Sequence, residues 1–156
     1  MNLTWSQKEK SFLEDLKSHE QICIAKYSLY ANQAQCEQLK QICKANEMVE
    51  RGHLDTINQL ISGKLPDMNQ QNQNPQQKYQ EFMSTTQVQG TLSDKDICTD
   101  LLMTEKYVSN TYNTSIFEFQ NTNVRDILNH IQKEEQKHGE AIFQYMNSKG
   151  LYNVQQ

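Results

Sequence analysis

One pattern of carboxylates and imidazoles occurs twice in this chain, 85 residues apart, and it restricts the possible folds more than any other feature. Glu20 is followed thirty residues on by Glu50 and then by His53; Glu105 is followed thirty residues on by Glu135 and then by His138. The match extends around these residues without a gap. At the same offset Asp15 meets Asp100, Tyr27 meets Tyr112, Gln35 meets Gln120, Ile42 meets Ile127, Ile57 meets Ile142 and Gln59 meets Gln144. With twelve glutamates in 156 residues, chance would place a glutamate three positions before fewer than one of the four histidines, yet two have one. The chain therefore reads as a duplicated unit.

Periodicity says what the unit is. Four seams step alternately by three and four residues, the spacing of one helix face. They run Leu13, Leu16, Glu20, Cys23, Tyr27, Tyr30, Ala34; Leu39, Cys43, Asn46, Glu50, His53, Ile57, Leu60; Cys98, Leu101, Glu105, Val108, Tyr112, Ser115, Phe119; and Val124, Leu128, Ile131, Glu135, His138, Ile142, Tyr145. Ser6 with Glu9 predicts a capping box at the first helix, and Ser93 with Asp96 repeats the spacing before the third. Gly63 with Pro66 ends the second, the fourth starts around Asn123, and Gly150 stops it. The expected boundaries are a helical hairpin over 6–62, a linker over 63–92, a second hairpin over 93–149 and a short tail over 150–156, forming one domain.

All six repeated ionisable residues fall on the seams. Burying them unpaired on four helices would carry a heavy desolvation penalty, and something must compensate it. Two lone glutamates plus two Glu-x-x-His pairs are the ligand complement with which a four-helix bundle holds two metal ions. Positions i and i+3 share a helix face, so each pair can reach one point on the bundle axis. Glu20, Glu50, His53, Glu105, Glu135 and His138 are the candidate metal ligands. One imidazole per ion among carboxylates favours iron or manganese, with zinc also able to occupy such a site. Tyr27 and Tyr112, two turns beyond Glu20 and Glu105, either hydrogen-bond to ligand carboxylates or pack as amphipathic core residues. Cys23, one turn past Glu20, is expected to pack in the core, as its counterpart Val108 would, and Asn46, one turn before Glu50, either supports a ligand or fixes helix register. His19 and His130 have no upstream glutamate and are expected at the surface or an interface.

The linker stands apart in composition: eight of the nine residues 69–77 are Asn or Gln, too polar to bury a core of their own. Thirty residues far exceed the roughly twelve extended residues needed to recross a bundle about 40 Å long. A single long crossover would make the second and third helices parallel. The net charge of −4, without a basic run, argues against nucleic acid as a partner. No apolar run reaches the ~20 residues of a membrane span. No apolar stretch follows Met1, so a secretory signal is not expected, and synthesis is expected in the cytoplasm. Cys23, Cys36, Cys43 and Cys98 lack C-x-x-C spacing, which removes a zinc ribbon or rubredoxin-type iron site.

The six-residue pattern resembles the ferritin-like superfamily, rubrerythrin and manganese catalase in particular. Separately, Leu92-Ser93-Asp94-Lys95-Asp96-Ile97-Cys98, Leu101-Leu102-Met103-Thr104-Glu105-Lys106-Tyr107, Tyr112-Asn113-Thr114 and Gly150-Leu151-Tyr152 resemble the spore coat protein F family of clostridial type. The resemblance implies an all-α, ferritin-like four-helix bundle of two antiparallel hairpins. It also implies that Glu50 and Glu135 bridge two metals, with Glu20, Glu105, His53 and His138 as terminal ligands. Rubrerythrins carry a further glutamate where this chain has Val108, which departs from a complete rubrerythrin site.

Two functional expectations follow. One is a di-iron or di-manganese centre reacting with peroxide or dioxygen, a peroxidase or catalase-like activity. The other is a structural spore coat component in which the metal is a staple or the site a relic. The expected partners are other coat proteins or a second copy of the chain, and the expected destination is the spore coat.

Overall fold

The computed structural model describes residues 2–67 and 92–154. Four helices form: α1 Gln7–Gln33, α2 Glu37–Ile61, α3 Asp94–Ile116 and α4 Thr122–Ser148. The expected crossover lies mostly at residues 68–91, outside the described residues. Among the described residues there is no strand, only one isolated bridge between Asn2 and Lys64.

Local chemistry sets the helix ends. The Ser6–Glu9 capping box is present, with the Ser6 hydroxyl accepting from Glu9 N and the Ser6 N–H donating to the Glu9 carboxylate. Asn121 caps α4 by accepting from Asn123 N and Val124 N. Gly63 closes α2 with φ +79°, and a Cβ there would lie 2.9 Å from the Leu3 carbonyl oxygen. Only glycine fits that junction, where Leu3 N donates to Gly63 O. Helix α3 stops at Ile116, earlier than the seam suggests, yet Phe119 is still buried because the following turn folds back under Trp5, 5.7 Å between ring centroids.

Helices α1 and α2 form one antiparallel hairpin, and α3 and α4 the other. Contacts along α1 and α3 and just past their C-terminal ends run in opposite order: Lys8 with Glu118, His19 with Thr111, Lys26 with Asp100, and Gln35 with Asp94. Antiparallel α1–α2 and α1–α3 neighbours leave α2 and α3 parallel, as the length of the linker predicts.

Every seam residue named from the sequence is buried. The apolar ones gather into two clusters. One holds Leu13, Leu16, Ile57, Leu60, Tyr112 and Leu128; the other holds Cys98, Leu101, Ile142, Tyr145, Tyr27 and Cys43. Adding or subtracting 85 turns each set into the other. The helical bundle thus has two equivalent apolar ends, and the repeated polar residues fall between them along every seam.

Candidate metal centre

Each helix contributes to the middle layer from the centre of its length: Glu20 from α1, Glu50 and His53 from α2, Glu105 from α3, Glu135 and His138 from α4. None of the six is more than 4% exposed. Their ligand-type atoms form two groups, Glu20–Glu50–His53–Glu135 and Glu50–Glu105–Glu135–His138, each within 4.8 Å internally. The groups share Glu50 and Glu135. Neither group can be assembled from one hairpin alone.

The imidazoles sit inside carboxylate cages. His53 Nδ1 lies 3.1 Å from Glu50, 3.1 Å from Glu135 and 3.7 Å from Glu20. His138 Nδ1 lies 3.2 Å from Glu50, 3.3 Å from Glu135 and 3.5 Å from Glu105. Burial raises Glu50 to about 7, with the Glu20 charge beside it adding to the shift. Glu105 is raised to about 7 by burial and the nearby Glu135, and Glu20 is raised for the same two reasons. Burial pulls the histidines down, but Glu20 and its neighbours hold His53 well above its usual range, and Glu105, Glu135 and Glu50 push His138 up to about 12. The metal-free cluster retains protons because four carboxylates at this depth need positive charge.

Hydrogen bonds do not reach every atom of the cluster. Among the described residues, the buried side-chain atoms without a hydrogen-bond partner are Glu20 Oε2, Glu105 Oε2, Glu135 Oε2, His53 Nε2 and His138 Nε2. All five belong to the six repeated residues. Buried polar atoms are normally paired, so lone carboxylate oxygens in a cluster whose carboxylates also contact the two imidazole Nδ1 atoms fit a cation. The residues present could hold metal ions.

The tyrosines cross between hairpins. Tyr27 of α1 donates its hydroxyl to Glu105 of α3, and Tyr112 of α3 donates to Glu20 of α1. The sequence left these tyrosines between hydrogen bonding and packing, and they do both. Asn46 donates from Nδ2 to the Tyr27 oxygen at 3.2 Å, a bond that Ile131 at the equivalent position of α4 cannot make. Cys23 packs in the core, where burial and then Glu50 and Glu20 raise its thiol. His130 is exposed, while His19 is half-buried and stacks on Tyr107 at 5.4 Å.

Periodicity missed the polar ties between hairpins. Asp100 accepts from Lys26 at 3.0 Å and Tyr30 at 2.5 Å, and Asp94 accepts from Gln35 N and Cys36 N at 2.8 and 2.9 Å. Asp94 at the start of α3 and the repeat of Asp15 at Asp100 were the signals that the sequence carried.

Residues 93–155, which include α3, α4 and all but the last residue of the tail, match the Coat F domain. The uncharacterized protein YusN of Bacillus subtilis (strain 168) is 31% identical over 88 residues, 56% of this chain and 76% of its own length. The chain belongs to the Coat F family. No solved structure matches it. The Coat F match contains Glu105, Glu135 and His138, while Glu20, Glu50 and His53 precede it. Among the described residues, no helix is long and apolar enough to cross a membrane.

Proposed function

We propose that this chain is a spore coat protein built as one ferritin-like domain, whose four helices hold two metal ions, iron or manganese. The observation that carries the reading is the coincidence of the five unpartnered buried atoms with the duplicated Glu and His residues. Glu50 and Glu135, common to both ligand groups, are suited to serve both ions; Glu20 with His53, and Glu105 with His138, complete one ion each. When bound, such a pair supplies two adjacent electron-exchanging Lewis acids that can act on peroxide or dioxygen. The chain's own contribution is to hold the carboxylates in place. Tyr27 and Tyr112 fix the rotamers of Glu105 and Glu20, and the apolar clusters exclude bulk water from both ends.

Metal content of protein purified without a metal-affinity tag tests this proposal. About two equivalents of iron or manganese are expected, and the Glu50→Ala/Glu135→Ala variant should retain none. Absence of metal after reconstitution with either ion would overturn it. A structural reading, with the ions as a staple, is favoured by the polar ties that already bind hairpin to hairpin at Asp94 and Asp100. Peroxide consumption by the loaded protein above that of free ions separates the two. If none occurs, the staple reading stands.

A further inference from the structure

The two hairpins are not equally closed around the cluster. On the α1–α2 side, Ile24 and Leu54 are buried at 9% and 8% exposure. Their equivalents at the 85-residue offset on α3 and α4 are Ser109 and Gly139. Two four-carbon side chains are thus replaced by a hydroxymethyl group and a hydrogen. A Cβ built at Gly139 would meet nothing within 4 Å. A cavity of about 600 Å³ occupies this side, lined by Ser109 and Gly139 and extending towards Glu105 and Glu135. Those two carboxylates are 3% and 0% exposed, so the cavity, open to solvent on its outer side, ends against Glu105 and stops short of contact with Glu135 for a molecule of water's size.

We propose that this α3–α4 cavity is the entrance through which a small uncharged molecule, of the size of dioxygen or hydrogen peroxide, reaches the carboxylate–histidine cluster. The proposal rests on the metal-centre reading for its purpose, but the passage itself is a property of the protein. Lys106 and Glu140 both line the cavity and carry opposite charges, and Glu105 and Glu135 add two further carboxylates, so its lining does not draw in anions. Leu102 and Phe143 supply apolar wall, and Tyr152 of the tail extends it by packing edge-on against Phe143 at 5.1 Å. An anion would shed water against that wall without compensation and would then meet carboxylates. A small neutral solute avoids both penalties.

The test needs no metal at first. Dissolved dioxygen is neutral and paramagnetic, and it speeds the nuclear relaxation of methyl groups it approaches. Ile57 and Ile142 are equivalent and both 0% exposed, and each lies three residues beyond the position that differs, Leu54 or Gly139. In the metal-free protein under oxygen pressure, Ile142 should relax at least about twofold faster than Ile57, and Gly139→Leu or Ser109→Ile should remove the excess. Leucine is a better helix former than glycine, so the first variant should fold at least as well as the parent. Equal relaxation in the parent, or an excess that survives both substitutions, would overturn the entrance. In iron(II)-loaded protein, nitric oxide should bind about tenfold more slowly to Gly139→Leu at unchanged iron content, and an unchanged rate would also overturn it. Failure of the parent to take up iron would defeat the metal reading instead, and the relaxation result would still decide the passage.

Discussion

Tyr27 leaves its own hairpin to donate its hydroxyl hydrogen to Glu105 of the other, and does so beneath the surface with Asn46 donating in turn to its oxygen. The bond couples the docking of the hairpins to the orientation of a candidate ligand. Tyr27→Phe and Tyr112→Phe should each cost about 1–3 kcal/mol by stripping a donor from a buried carboxylate. Tyr27→Phe should cost the more because Asn46 also loses its acceptor. Thermal melting of the metal-free variants measures the difference.

The same tyrosines should matter for metal affinity. Loss of a group that orients a ligand typically weakens binding about 10–100-fold. Competition titration with a chelator should therefore show weaker binding in both phenylalanine variants. Neither should lose stoichiometry, because the six candidate ligands remain.

Stability of the metal-free protein should fall as pH rises from 5 to 8. Glu50 and Glu105 begin from 4.5 in the unfolded chain and are raised to about 7 by burial and by neighbouring carboxylates. A raised value means that the folded state holds the proton more tightly, so this contribution is full below about 4.5 and is lost through 7. His138, raised from 6.5 to about 12, adds a loss in the same direction that starts near 6.5. Melting temperatures across this range should fall, and Glu50→Gln should flatten the slope. Added metal should reverse the trend, because rising pH removes the protons with which a cation competes.

Asp94 offers a test away from the cluster. Its two carboxylate oxygens accept from the backbone of Gln35 and Cys36, where α1 turns into α2. Asp94→Ala should cost about 0.5–2 kcal/mol, the range of a lost helix cap. Hydrogen exchange should place the loss at residues 34–37, with the centre of the bundle still protected.

Much of the bundle was legible because burial on a helix repeats with a short period. Leu13 through Tyr145 could be assigned to the interior, and Glu20, Glu50, His53, Glu105, Glu135 and His138 appeared where only apolar residues should be. The crossed bonds of Tyr27 and Tyr112 were harder to read. Their spacing put them on the right face, but which carboxylate each meets depends on how the hairpins dock. Phe119 showed another limit: it keeps the seam's phase and is buried, although the helix has already ended at Ile116. The cavity went unread for a different reason. A duplication draws the eye to residues that agree, and the opening is encoded where they do not, at Ile24 against Ser109 and Leu54 against Gly139.

Those two mismatches bear on why both hairpins belong to one polypeptide. Two identical hairpins meeting on a twofold axis would assemble the same six candidate ligands, but every change in one would be copied in the other. Such a pair could have two doors or none. Once each half is written separately, one wall can be sealed with isoleucine and leucine while the other is left ajar, and Asn46 can brace one tyrosine without being buried uselessly beside the second. Independence of the halves, more than the extra length, is what a single chain adds to a symmetric site.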